Sequence, residues 1–517
     1  MSDEGGVNIS LPNKVLSKQL KRKASDFLNS RKNANNLVDI IQCLEKSIGD
    51  QQNASPIIPS VLALETIFTE LLKNRAMVIE VQPLKPKENS PETQYREWLQ
   101  DRYGEAYQFI LKCFCVDKTS DSIQALATAM NLLALEGQFP IDYVTDASYY
   151  FPCSKLRSIL QCLLSADKAN DHLISRFQEF TAYHDILQHS WKFLPGLTPR
   201  GQIPSETYVG NYLNLINAMP IKSAEQEQIH LLCDNNSADK GKVTFDYQAI
   251  RRNINKSWAC VMHWQHTEAT HQKVLMVLLE RVLPHLDKPL ALTDFLMDSL
   301  DAGGAISLLA FQGVFTLIQE HNLTYPFIYE KLYSMFEPEI FHTKFKARLF
   351  YLADLFLSST HLPEALVAAF VKRLARLTLV APPQDIVICL YFIGNLIIRH
   401  PGLKRLICHP HGGQVTRDPF IMDECDPTKS YAIDSSLWEI AALQNHGIPS
   451  IATAAKFISN PLPTIEWDLT QVLGVTEDDL FDQAIKKSSK AAFLTIDRPT
   501  SMFVPRGDRT QEFWKLF

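Results

Sequence analysis

At 517 residues the chain is longer than one hydrophobic core usually supports, so two or more domains or one long helical array are expected. Its 19 glycines are about half the average usage of ~7%, and no Asn-Gly or Asp-Gly hairpin pair occurs, which argues against a β-rich fold. With a formal charge of −6 there is no global attraction to nucleic acid, so any RNA contact has to be local.

Residues 1–34 are polar and read as an N-terminal tail, with Lys21-Arg22-Lys23 as a short nuclear-import candidate. The stretch from Met1 to Lys23 carries no apolar signal-peptide core, and the ten cysteines fall mostly in helical patterns; a reducing compartment is expected. Cys113-Phe114-Cys115 has the wrong spacing for a zinc knuckle. Cys408, His409 and His411 share a loop but lack a second cluster to complete four ligands, so no metal or cofactor is expected.

From 35 to 221 short amphipathic helices recur, punctuated by proline. Leu37, Ile40, Ile41 and Leu44 line one of them, and Leu62, Leu64, Ile67, Phe68 and Leu71 line the next. A proline- and charge-rich loop covers Val81 to Gln94. Helix pairs of about 35 to 45 residues in succession predict an all-α, HEAT-like helical-repeat array, an α-solenoid in two halves. Residues 222–246, including Asn235 to Gly241, are too polar to pack and mark a linker between the halves.

The second half, 247–460, is organised around Phe341 to Pro383. Phe345, Leu349, Leu352 and Phe356 make one apolar stripe, Ser358-Ser359-Thr360 stop it, and Pro363 opens a second helix whose stripe is Leu366, Phe370, Leu374 and Leu377. Six basic residues against two acids give this hairpin +4, while the rest of the chain is −10. Lys344 with Arg348 and Lys372 with Arg376 are i, i+4 pairs off the apolar stripes, and Arg373 lies beside them. Two readings apply to this basic stripe: a solvated helix face, or a contact with rRNA phosphates or an acidic partner segment. Trp438, in Ser436 to Ile440, reads as core or as a partner anchor. Residues 461–517 hold a final helix, capped by Thr476 with Glu477, Asp478 and Asp479 in its first turn, and a tail containing Phe503, Phe513, Trp514 and Phe517.

Hydropathy alone flags Ile306 to Ile318, Leu349 to Phe370 and Ile386 to Ile398 as membrane spans, which would make a multi-pass nuclear-membrane protein. The last is 13 residues long, short of the ~20 a span needs. The middle one contains Asp354 and Glu364, and a charge at mid-bilayer costs about 3 kcal/mol. Buried helices explain the same pattern. No Walker loop, G-x-G-x-x-G, H-E-x-x-H or G-x-S-x-G occurs, so no catalytic set and no small-molecule substrate are read.

Two blocks carry a family resemblance. The core (325–401) contains Phe341-His342-Thr343-Lys344, Leu352-Ala353-Asp354-Leu355-Phe356-Leu357-Ser358-Ser359, His361-Leu362-Pro363, Lys372-Arg373-Leu374-Ala375-Arg376-Leu377 and Ala381-Pro382-Pro383. The second motif (418–446) contains Asp418-Pro419-Phe420, Asp426-Pro427 and Ser435-Ser436-Leu437-Trp438-Glu439-Ile440 with Leu443, Gln444 and His446; Gly447 stands where the pattern expects an aromatic. Together they resemble the CCAAT-binding-factor / nucleolar-complex family. That resemblance implies a nucleolar assembly factor rather than an enzyme. It also implies pairing with nucleolar protein 14, and a role in small-subunit rRNA maturation and pre-subunit export, with a large-subunit role as the nearest alternative. The family's name raises DNA-binding transcription as well, but the sequence shows no helix-turn-helix or basic zipper.

Overall fold

The computed structural model describes residues 10–49, 57–79, 90–141, 149–201, 203–221, 230–233, 246–321, 325, 327–408 and 417–491. Two compact units emerge, Met1–Leu323 and Thr324–Phe517. Among the described residues every regular element is helical. Most of the polar linker, His409 and His411, most of the loop after Ile79, and the aromatic tail lie outside the described residues.

The first unit contains α1 (Ser10–Asn29), α2 (Asn35–Gly49), α3 (Ile57–Lys73), α4 (Pro91–Lys112), α5 (Thr119–Gln138), α6 (Cys153–Leu163), α7 (Asp171–Phe180), α8 (His184–Leu197), α9 (Glu206–Ala218), α10 (Tyr247–Val261), α11 (Glu268–Val277), α12 (Thr293–Asp301) and α13 (Gly304–His321). Odd-numbered helices pack in one row, α1 on α3 and so on to α13, and even-numbered helices in a second, α2 on α4 and so on to α10. Within each row a helix thus meets the helix two places on, the arrangement expected of stacked helical pairs, while α12 packs on α13. Local chemistry sets the starts: Ser90, Ser205 and Asp246 accept the amides of Thr93, Tyr208 and Ala249, as N-caps do.

Two boundaries differ from the sequence expectation. Residues 10–29 are a helix rather than a tail, because Leu20, Ala24 and Phe27 fall at i, i+4 and i+7 and are buried, and α1 packs on α3. Lys23 of the basic cluster is 2.6 Å from Asp39. Nor does the chain divide at 222–246, since α10 packs on α8 and α11 on α9, which carries the array through to α13. Within that stretch residues 230–233 are held in place. Asp185, buried in the first turn of α8, accepts the amides of Leu232 and Cys233 at 3.0 and 2.9 Å and the Tyr149 hydroxyl at 3.0 Å. Cys233 then sits against Gly137 of α5, where an added Cβ would collide with the sulfur.

The second unit contains α14 (Ile328–Ser334), α15 (Lys346–Phe356), α16 (Glu364–Leu377), α17 (Pro383–Arg399), α18 (Trp438–Leu443), α19 (Pro449–Ala455), α20 (Leu469–Leu473) and α21 (Glu477–Ala491). α16 packs on α17, on α18 and on short 3₁₀ turns at 401–406, 427–429 and 432–434; α17 also meets α19, α20 and α21. Beyond α19 the chain straps back over α17. Asn395 donates to the Trp467 carbonyl at 2.9 Å and accepts its amide at 2.8 Å, while Arg399 grips Glu466 and Asp354. Trp467 stacks on Tyr391 over Gly394, whose lack of a side chain makes the room. Thr476 caps α21 and accepts the Asp479 amide, as its sequence predicts.

No described helix is long and apolar enough to cross a membrane. The apolar surface of α17 is spent on neighbouring helices instead, with Ile386, Ile388, Phe392, Ile393, Leu396 and Ile397 buried. Gly137→Ala should force Cys233 out of its seat and lower stability by about 1–3 kcal/mol, the usual cost of overpacking. Alkylation of the native protein, read by peptide mass spectrometry, should then modify Cys233 faster in the variant than in the wild type; equal rates would show that the close approach yields.

Candidate functional site

The site is built on α16. From Ala365 to Val371 its sequence is apolar without a break, and Leu366 to Phe370, Val371, Leu374, Ala375 and Leu377 are buried. A helix apolar round its circumference is enclosed on all sides, so cations that follow it must find carboxylates rather than water. The second motif supplies them. Lys372, at 0% side-chain exposure, donates to Glu439 Oε1 and Oε2 at 2.7 and 2.9 Å and to the Ser436 carbonyl at 2.6 Å, with Asp418 Oδ2 at 2.9 Å. One turn on, Arg376 reaches Asp418 at 2.6 Å and Glu439 at 2.8 Å.

Asp418 is the hub of the exposed side. Ser435 donates to it at 2.5 Å, the Trp438 indole N–H at 2.8 Å and the Phe420 amide at 3.1 Å. The Trp438 ring then lids the cluster, 40% exposed, with the Arg376 guanidinium 4.7 Å and the Lys372 ammonium 5.5 Å from its centroid. Arg373 points elsewhere: it donates to the Met422 carbonyl of the second motif and to the Phe336 carbonyl of the core block, and lies 4.5 Å over the Tyr333 ring. The two carboxylates differ in acidity. Burial pushes the Glu439 carboxyl up, and the Lys372 ammonium only partly offsets it. At Asp418 burial also raises, but the hydrogen bonds from Ser435, Trp438, Lys372 and Phe420 outweigh it and hold the group well below the usual carboxylate range.

The expected open basic stripe is therefore corrected. Lys372 is internal, Arg373 and Arg376 are engaged with the second motif, and Lys346 pairs with the fully buried Asp385 at 2.7 Å. Lys344 and Arg348 are exposed, yet Lys344 precedes α15 and does not share a helix face with Arg348. Trp438 joins this cluster and is not core. Asp418, Ser435 and Glu439 were missed by sequence reasoning; the signal was the unbroken apolar run of α16, which leaves Lys372 no route to water. Among the described residues no group of histidine, cysteine and carboxylate side chains could hold a metal. The Cys113 thiol is buried, which pushes it up to about 12, whereas Cys115 and Cys408 are exposed.

Lys372→Ala leaves the buried Glu439 with Arg376 as its remaining cation and removes an ammonium shared by two carboxylates, and should cost about 3 kcal/mol. Lys344→Gln with Arg348→Gln should shift stability by less than about 0.5 kcal/mol; urea titration separates the two cases, and equal effects would contradict the placement of Lys372. Because Asp418 is depressed when folded, its stabilising contribution is complete above its unfolded value of about 4 and is lost as pH falls further. Asp418→Asn should therefore be less stable than wild type at pH 7. The gap in urea midpoint should close as pH falls below about 4; a gap constant from neutral to strongly acid pH would refute the assignment.

The CBF/Mak21 family profile matches residues 307–455, which takes in α16 and the segment clasped to it. A second profile, described as nucleolar complex protein 4-like TPR repeats, matches residues 14–194, from α1 into α8. Among curated proteins the chain is 37% identical to nucleolar complex protein 4 homolog A of Xenopus laevis over 478 residues, 90% of each chain. It is 34% identical to the Danio rerio homolog over 97% of each, and 33% identical to that of Homo sapiens over 90% of this chain and 92% of the other. With both profiles in register and full-length relatives above 30% identity, the chain belongs to the CBF/Mak21 family, among the nucleolar complex protein 4 homologues.

Proposed function

We propose that this protein is a non-catalytic nucleolar assembly factor for the small ribosomal subunit, working as a stable complex with nucleolar protein 14 in pre-rRNA maturation and pre-subunit export. The observation that carries this reading is likeness along the whole chain, both profiles included, to proteins named nucleolar complex protein 4. The physical character of the molecule supports it. Helical-repeat arrays present extended surfaces to partners, and the titratable cluster at α16 is consumed in holding the fold: each of its cations is matched by a carboxylate or a carbonyl.

The reading is tested on the endogenous protein. Purified from nucleoli without detergent, it should bring down nucleolar protein 14 in equal amount, and its depletion should accumulate precursors of the small-subunit rRNA. Accumulation of large-subunit precursors alone, or a stoichiometric large-subunit companion, would overturn the assignment. Trp438→Ala is expected to leave the complex intact while lowering its melting temperature, since the indole closes the ion cluster.

A further inference from the structure

Two histidines bracket the start of α11. His266 lies in the turn after α10 and His271 in the first turn of α11, with ring centroids 6.1 Å apart. Phe295 of α12 stacks on His271 at 5.2 Å and meets His266 edge-on at 6.5 Å. The hydrogen bonds fix where each neutral ring carries its proton. Ser299 of α12, fully buried, spends its hydroxyl hydrogen on the Phe295 carbonyl at 2.6 Å, so at 2.8 Å it accepts from His271 Nε2. His266 Nε2 donates to the Val261 carbonyl, at the end of α10, at 3.2 Å. A second proton would therefore go to Nδ1 in either ring. His266 Nδ1 is buried and has no partner among the described residues.

A proton on His266 Nδ1 would find no acceptor, and its charge would face a second imidazole. The surrounding elements carry Lys256 on α10, Glu206 on α9, Glu268 and Lys273 on α11, and Asp294, Asp298 and Asp301 on α12, all exposed. His263, after α10, is exposed too and bonds the Ala259 carbonyl at 2.7 Å. α13 has no charged residue before Glu320. Each ring of the pair thus has a carbonyl or a hydroxyl as its hydrogen-bond partner, not a carboxylate that would hold the imidazolium. Burial lowers both imidazoles from their ordinary value; the Val261 carbonyl opposes this at His266, and the His266 ring adds to it at His271. We propose that His266 and His271 form a proton-sensitive latch between α11 and α12, which holds while both rings are neutral and releases when His266 Nδ1 is protonated. Because both groups are depressed when folded, their contribution to stability is complete above the unfolded value of about 6.5 and is lost as pH falls below it. The latch lies in the first unit and does not rest on the small-subunit reading.

The test is hydrogen exchange of the full-length protein at pH 7.5 and pH 5.5, corrected for intrinsic rates and read by peptide mass spectrometry. Opening of α11 and α12 peptides should rise by up to about tenfold for each imidazole that stays neutral when closed, the ratio that an unfolded value of about 6.5 sets over that interval. Peptides from α4 and α5 should change little. His266→Gln keeps a donor for the Val261 carbonyl but cannot be protonated, so it should remove the share of the rise due to that ring. His271→Gln, which can still donate to Ser299, makes the same measurement on the other ring and decides the matter if the first variant fails to fold. No rise in the wild type would overturn the proposal, as would a rise shared equally by α4 and α5 or one unchanged in a folded variant.

Discussion

A buried ammonium group dictates the architecture of the second unit. Lys372 has no access to water, and an isolated charge in that position would be prohibitively costly. The chain must therefore return, many residues later, with Asp418, Glu439 and the Ser436 carbonyl in register. Replacing such a buried pair by apolar residues of similar volume is often neutral or stabilising, while breaking it is not. We read the cluster as fixing which segment docks on α16, and in what register, more than how tightly it docks.

The same device recurs through the molecule. Helices satisfy their own backbone, and with no strand ladder among the described residues the irregular segments need other partners for their polar groups. Side chains projecting from helices provide them. Asp185 of α8 catches the amides of Leu232 and Cys233, Asn395 of α17 catches both polar groups of the Trp467 backbone, and Arg373 of α16 catches the Met422 carbonyl. Small residues complete the seats: Gly137 admits Cys233, and Gly394 admits the Trp467 ring. The segments at Cys233 and Trp467 are thus each held by paired side-chain hydrogen bonds and by a close approach at a glycine. A surface assembled in this way keeps a fixed shape, which is the property a scaffold requires.

Much of this was legible in the residues. The helix stripes at Leu366, Phe370, Leu374 and Leu377 are buried as their spacing predicts, the Thr476 cap is formed, and the succession of short amphipathic helices becomes a two-row array. The blocks at 341–383 and 418–446 pointed to the family that the comparisons show. Less visible were α1, whose apolar positions are sparse within a polar run, and the continuity of the array past residue 246, which depends on α10 meeting α8.

By itself, then, the sequence determined the class of fold, the helical faces and the family, because these depend on local periodicity and on runs of residues read in order. Tertiary structure alone decided the fate of the cations. An i, i+4 pair off an apolar stripe looks the same whether water or another segment covers it. Lys372 is interior and Arg376 is half-buried because Asp418 and Glu439 are brought onto them from 42 to 67 residues away.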